Sequence, residues 1–571
     1  STQSRSSAAS DVYKRQRASG ATPGRALTMT PAPHRAPVPN ILSVIDPAAA
    51  PFDWTARTPV TAPDALAISA SRLGGLRAAP DSPAITLRID ESLSDEPFAR
   101  ERVGAEAFRV TVAAHGIQVS GASPAGVFRG VTLLRQLREP GADRARVPAG
   151  VWESAPAYAW RGVMLDVARH FRPVEDLERL VDLMADHHLT HLHLHLTDDQ
   201  GWRFEVPGFP RLTEVGGRRE ETQRGHGPHA TVEAGVHEGH YTDAELRRLV
   251  AYAAQRFVTV VPEVELPGHI QAGLAAYPEL GNIDVGEPVV APWSRFGVNP
   301  RTLAPTDEAL AFGRAAIDAL CDLFDSPWIG IGGDEVPVTE WAQSAAARER
   351  MRELGLATPH DVQPWFTDQF VAHVRSRGRT ALAWDEVLEG DVPEGVQVLA
   401  WRGPVAMREA LRRGIPVIAC PDLEAYLDYP QSESGEEPIR VGPPLPIERA
   451  YALRVEDGAS GGQANVWTEH LPTTDRVDCA MFPRLAAIAE RLWDGGEPPP
   501  YEGFARRLPT HLRRLAESGV RYRPLDGPTP TQRRPGVPGK PLTREARQEI
   551  VAGLVERLSG SHGTADGVLS A

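Results

Sequence analysis

The sequence predicts an α/β protein, a (β/α)8 TIM barrel preceded by a small α+β domain. Three observations lead there. From about residue 156 to 495, short apolar runs alternate with amphipathic segments, the pattern of repeated βα units. Eight strand candidates fall in that span, at 162–167, 191–196, 258–264, 328–331, 381–384, 396–401, 416–419 and 463–467. The segment ahead of them reads differently, as a hairpin followed by one amphipathic helix.

Residues 1–37 are rich in Ser, Ala, Arg and Pro, lack the apolar core of a signal peptide, and are expected to be disordered or non-native, with Met29 as a natural start. A cytoplasmic location is the expectation, with secretion left open if this N-terminus is not the native one. In 38–155, Phe108, Val110 and Val112 alternate, His115 and Gly116 turn, and Ile117 and Val119 alternate back. Ser123 and Pro124 then supply N-cap and first-turn signals for a helix whose Val127, Val131 and Leu134 share a face. The barrel with its closing helices is assigned to 156–525. Within it, 242–255 reads as a helix with a Thr242–Glu245 capping box and a Leu246, Leu249, Val250, Ala253 face. Residues 526–571 read as a Pro-rich linker and a tail with one candidate amphipathic helix at 543–558, and without chemistry.

Composition narrows the function. The chain of 571 residues is 42% apolar and 24% charged, with a net charge of -14 and no basic block in its body. That balance argues against nucleic acid, and no run approaches the ~18 apolar residues of a membrane span. Cys321, Cys420 and Cys479 are scattered and odd in number, so neither a disulfide framework nor a zinc site is expected. The only lysines are Lys14 and Lys540, both in terminal segments, which argues against Schiff-base, pyridoxal and P-loop chemistry in the folded body. No cofactor is called for, and nothing speaks to oligomeric state.

Chemistry concentrates just past the strand ends, where a barrel builds its active site. The run 327–336 carries Trp328, Ile329 and Ile331 through Gly332 and Gly333 into adjacent Asp334 and Glu335. The glycines are expected to let a ligand approach the backbone. Other strand ends offer Arg169, His170, Asp198, Asp199, Glu265, His269, Trp384, Trp401, Tyr426, Asp428, Trp467 and Glu469. Tryptophan faces stack on pyranose rings while carboxylates and arginine bind hydroxyls, so the mixture suits a sugar.

The runs RGVMLDVARHF (161–171), HLHLTDDQGWR (193–203), YTDAELRRLVAYAAQRFVTVVPEVELPGH (241–269), IGGDEV (331–336), WTE (467–469) and FPRLAAIAERLW (482–493) resemble glycoside hydrolase family 20, the β-N-acetylhexosaminidases. The resemblance spans about 100–525. It implies a retaining exo-β-N-acetylhexosaminidase that removes terminal β-linked GlcNAc or GalNAc, with the sugar's own acetamido oxygen as nucleophile and an oxazoline-type intermediate. Its partner would be a small oligosaccharide or glycoconjugate with a non-reducing terminal N-acetylhexosamine. By the resemblance, Glu335 is the general acid and base, with its pKa raised by burial and its neighbour, and Asp334 orients the acetamide. Trp384, Trp401 and Trp467 form the acetamide pocket and the Tyr426 hydroxyl donates to the acetamide oxygen. Arg169 binds ring hydroxyls, Asp428 and Glu469 hold those at positions 4 and 6, and Asp198 pairs with His269 near the general acid. The sequence departs from the family pattern at Gly330, where a histidine is usual, and at Glu265, where an aspartate is usual. These changes put the side chains that brace Asp334 and the placement of His269 in question. An aromatic that often lines the leaving-group subsite has no clear match near 446–453.

Each residue has a blander reading: Arg169 in a structural salt bridge, Asp198 or Asp199 as a helix cap, His269 as a loop histidine, the tryptophans as core. Two other functions compete. The alternation of His191, His193 and His195 on one strand face fits a metal-dependent barrel amidohydrolase. The departures at Gly330 and Glu265 fit a catalytically impaired sugar-binding barrel.

Overall fold

The computed structural model describes residues 37–41, 43–74, 84–138 and 144–559, so the expectation for 1–37 lies outside it except at Pro37. Eight parallel strands close into a barrel: β1 Trp160–Asp166, β2 His191–His195, β3 Thr259–Glu263, β4 Trp328–Gly330, β5 Thr380–Trp384, β6 Val396–Ala400, β7 Val417–Ala419 and β8 Gly461–Val466. Every sequence-predicted strand is present, its ends shifted by one or two residues. Closure comes from β8 against β1, in register from Gly461↔Trp160 to Val466↔Leu165. All seven residues of β1 and all five of β2 are buried, as expected of strands covered on both faces.

The small domain is a six-stranded sheet whose central hairpin pairs Phe108–Ala113 with Gly116–Gly121, as the alternation predicted. Helix α1 (Pro124–Gln136) covers it, and the Ser123 hydroxyl accepts from the amides of Ala125 and Gly126. A carboxylate joins this domain to the barrel. Glu106 accepts from Arg129 Nε of α1 at 2.7 Å and from Arg161 Nη2 of β1 at 2.6 Å. Helix α2 (Asp243–Ala254) carries the predicted Thr242–Glu245 capping box.

The C-terminal segment departs from its reading as a linker and tail. Lys540–Pro541 pairs in parallel with Val441–Gly442, the loop after β7, so the folded body does carry one lysine. Helix α3 (Arg544–Val555) follows, capped by Thr543, and its Val551 and Leu554 join the barrel's hydrophobic core together with Leu558. Its apolar stripe needed a partner, and the barrel's outer wall supplies one.

Burial by itself would raise the Glu106 carboxyl, but Arg161 and Arg129 hold it down to about 2. Its ion pairs therefore add stability that is complete above the unfolded value of 4.5 and is lost as pH falls toward about 2. Glu106→Gln, which strands two buried guanidiniums, is expected to cost about 3–5 kcal/mol. Urea unfolding of the two proteins at pH 7 and pH 3 checks this, and the gap should narrow at the lower pH.

Candidate active site

The turn after β4 brings the acid pair to the barrel mouth by an unusual backbone route. Gly332 and Gly333 have φ of 63° and 92°, and Glu335 itself sits at φ 49°. His269, on the turn after β3, has φ 48°. Non-glycine residues held in this region typically store ~1–3 kcal/mol each, which packing elsewhere must offset. The glycines serve a neighbour of the chain as well as the turn. A Cβ on Gly332 would lie 1.8 Å from Glu265 Oε2, so it is a protein carboxylate that approaches this backbone, and Glu265 Oε2 accepts from Gly333 N at 3.3 Å.

His269 ties the pair to the second strand. Its Nε2 lies 4.0 Å from Asp334 Oδ2 and 3.8 Å from Glu335 Oε2, while Nδ1 lies 3.3 Å from both Asp198 Oδ1 and Asp199 Oδ2. The expected Asp198–His269 pair is thus a three-residue cluster. Thr197–Asp198 and Gly201–Trp202 form a tight two-stranded hairpin, and Asp199 Oδ1 also accepts from the amide of Gln271 at 3.0 Å, the first residue of the short helix Gln271–Ala276, so Asp199 serves a helix end as well as His269. Asp198 is also held by Arg169 Nη2 at 2.7 Å and by His195 Nε2 at 3.0 Å. Burial opposes ionisation of His269, yet Asp198, Asp199 and Asp334 hold it well above the ordinary histidine range and so favour its protonated form. Burial pushes Asp334 above the ordinary carboxylate range, His269 pulls against it, and Glu335 adds to the rise.

Neither departure from the family pattern leaves a gap. Gly330 faces Glu263 across β3 and β4, and a Cβ there would meet Glu263 Cβ at 2.7 Å, so the glutamate fills the space above the glycine. Glu265 turns toward Gly333 N and toward His195, whose Nδ1 is 3.7 Å from Glu265 Oε1. His269 takes its hydrogen-bonding partners from Asp198 and Asp199 instead.

The aromatic wall assembles around Trp467. Its ring centroid lies 5.9 Å from Trp384, 6.2 Å from Tyr426 and 5.0 Å from His195, with the Arg169 guanidinium 5.0 Å away. Trp401 stands beside this group, its indole N–H donating to Glu386 at 3.1 Å. Arg169 does make the structural salt bridge, and three of its five N–H groups go to Asp198, Asp166 and Gln200. Two remain for a ligand. Asp428 and Glu469 sit near each other, and burial first, then Glu469, pushes the Asp428 carboxyl up to about 8. Asp334 Oδ1, Trp384 Nε1 and Asp428 Oδ1 are buried without a hydrogen-bond partner in the protein. Such atoms are usually answered by an ordered water, an ion or a ligand.

The three histidines of β2 do not converge. His191 stacks on Trp160 at 4.0 Å near the barrel floor, His193 reaches Gln463 and Glu263, and His195 has one ring nitrogen on Glu263 at 2.7 Å and the other on Asp198. Among the described residues, each group of three ligand types within 4.8 Å contains a single histidine. This is not the histidine set an amidohydrolase needs. Sequence reasoning offered Asp199 at a strand end and, with Asp198, as a candidate cap without assigning it to the site, and it missed Glu386, which stands two residues beyond Trp384 in the same turn. Asp166 and Gln200, which orient Arg169, carried no local signal.

Comparison with known proteins agrees with this geometry. The sequence model "Glycosyl hydrolase family 20, catalytic domain" matches residues 158–496, and "Glycosyl hydrolase family 20, domain 2" matches 37–152. The chain is 36% identical over 425 residues to a β-hexosaminidase of Porphyromonas gingivalis, covering 71% of this chain and 53% of that protein. It is 34% identical to one from Akkermansia muciniphila, covering 71% and 83%, and 30% identical to a β-N-acetylhexosaminidase of Cellulomonas fimi, covering 85% and 95%. Among solved structures, an exo-β-N-acetylglucosaminidase of Vibrio harveyi in complex with N-acetylglucosamine superposes with a TM-score of 0.74 at 28% identity, over 88% of this chain and 81% of that one. A Streptomyces plicatus N-acetyl-β-hexosaminidase gives 0.71 at 28% identity, over 88% and 99%. With a catalytic barrel and an N-terminal domain that both match, the chain belongs to glycosyl hydrolase family 20.

Proposed function

We propose that the protein is a retaining exo-β-N-acetylhexosaminidase, releasing terminal β-linked N-acetylhexosamine with the substrate's acetamido oxygen as the nucleophile. The observation that carries this reading is the environment of Asp334. A carboxylate with one buried, unpartnered oxygen, lying close to Tyr426 and to Glu386 of the aromatic wall, is suited to accept an amide N–H rather than to attack carbon.

In this reading the acetamide lies against Trp384, Trp401 and Trp467. Its N–H donates to Asp334, and its oxygen accepts from the Tyr426 hydroxyl, a phenol that burial keeps protonated. The oxygen then attacks C1 while Glu335, the more exposed of the pair at 35% against 15%, gives its proton to the departing oxygen. The electron pair of the broken C1–O bond leaves with that oxygen. A positive oxazoline-type ring remains, with Asp334 against its nitrogen. Glu335 next takes a proton from water, the water oxygen bonds C1 from the face the leaving group vacated, and the ring opens with the β configuration restored. An intramolecular nucleophile can save ~7–11 kcal/mol, against ~10²–10⁴-fold in rate from acid–base transfer, so the acetamide pocket has the larger share of the work. The two free N–H groups of Arg169, with Asp428 and Glu469, would hold the remaining hydroxyls. Relatives named for N-acetylglucosamine support the choice of sugar.

Glu335→Gln should lower kcat by ~10²–10⁴-fold on alkyl or sugar aglycones, much less on a dinitrophenyl glycoside, and leave KM nearly unchanged. Equal losses on both substrate types would remove Glu335 from the acid role. Asp334→Asn should slow both by a similar factor, because acetamide attack precedes either departure. Asp334 works ionised and burial raises its pKa, so kcat/KM should rise with pH along a limb above the ordinary carboxylate value of 3.8, and Asp334→Asn should abolish that limb. Nitrophenyl β-N-acetylglucosaminide and β-glucoside, assayed side by side, test the nucleophile; comparable rates would point to an enzyme carboxylate instead.

A further inference from the structure

Residues 526–559 lie beyond the span that the family's catalytic-domain model matches, yet they are joined to the wall described above. After Lys540–Pro541 pairs with the loop following β7, α3 runs beside the turn that carries Tyr426. Arg547 Nε donates to Asp422 Oδ2 at 2.7 Å, and the Tyr429 hydroxyl donates to the same oxygen at 3.2 Å. Tyr429 in turn lies 5.9 Å from the Tyr426 ring. The Arg547 guanidinium is also 5.7 Å from the centre of Trp401.

Trp401 is bracketed from a second direction. Arg402 lies 5.9 Å from its ring, is held by Asp385 at 2.6 Å, and donates from Nη1 to the carbonyl of Leu554 on α3 at 3.0 Å. With Glu386 on the indole N–H, two arginines and a glutamate grip one tryptophan, and α3 supplies or anchors both arginines. Apolar packing through Val551, Leu554 and Leu558 would hold the helix in place without any of this. A half-buried arginine paired with Asp422 and set against Trp401 instead gives the helix a second task.

We propose that α3 is a working part of the sugar pocket, with Arg547 a positioning residue that fixes Trp401 and, through Asp422 and Tyr429, Tyr426. This rests on the reading of Trp401 and Tyr426 as acetamide-binding groups. Positional errors of ~1 Å can cost ~10²-fold in rate, so a residue that never meets the sugar can still control turnover.

The full-length chain carrying Arg547→Met, which keeps the stem and removes the cation, is compared with Arg547→Lys, which can still pair with Asp422 but lacks the planar group. Thermal midpoint, kcat and KM on nitrophenyl β-N-acetylglucosaminide, and Ki for a thiazoline analogue of the cyclised sugar are read for each. Arg547→Met should lower kcat/KM by about 10- to 100-fold and raise the thiazoline Ki in proportion. Arg547→Lys should keep the wild-type midpoint while showing the same two changes in smaller measure. Should Arg547→Met fail to fold, the lysine variant alone decides. Variants that lose thermal midpoint but keep kcat/KM and Ki within ~2-fold would make α3 a packing element and overturn the proposal. A wild-type protein that neither cleaves the substrate nor binds the thiazoline would remove the proposed function itself, and this inference with it.

Discussion

The barrel mouth holds more buried carboxyl groups than cations, and its arrangement follows from settling that imbalance. Asp166, Asp198, Asp199, Glu263, Glu265 and Asp334 converge there with Arg169, His195 and His269. A carboxylate buried in low dielectric must be paired or must keep its proton. Asp198 takes Arg169 and His195, and Glu263 takes His195 and His193; against the opposing effect of burial, these partners hold both carboxyls below their ordinary range. Asp199, Glu265 and Asp334 are left with burial dominant and are pushed up.

The same balance explains why the two departures from the family pattern are tolerated. With glycine at 330, the side chain of Glu263 has room to lie across β4 and still reach His195. The extra methylene of Glu265 carries its carboxyl to Gly333 N, where it braces the turn before the acid pair. Each departure is thus answered by a different neighbour, Gly330 by Glu263 and Glu265 by the Gly332–Gly333 turn.

Distance along the chain is no guide to involvement. Glu106, in the small domain, locks β1 by way of Arg161, and α3, near the described C-terminal end, braces Trp401. Both contacts use arginine, whose planar, permanently charged head can be buried against carboxylates and indoles alike. In a chain with lysine confined to positions 14 and 540, such couplings fall to arginine.

Much of the fold was legible because it rests on local rules. Alternation marked all eight barrel strands, the Thr242–Glu245 pair marked a helix start, and acids after Gly332 and Gly333 marked the site. Arg169, His269, Asp334 and Trp467 could be named because strand ends in a barrel share one face. Local rules do not reach which acid keeps its proton, that Asp199 joins Asp198 on His269, that Gly332 makes room for Glu265, or that Arg547 reaches Trp401. Those depend on groups from distant strands meeting in a medium that screens charge poorly. By itself the sequence determined the barrel and the small domain ahead of it, since periodicity and motif order are properties of neighbours. Only tertiary structure decided the upward shift of the Asp334 carboxyl, the fate of the β2 histidines and the docking of α3, because each is settled by burial and by partners that no short window of sequence contains.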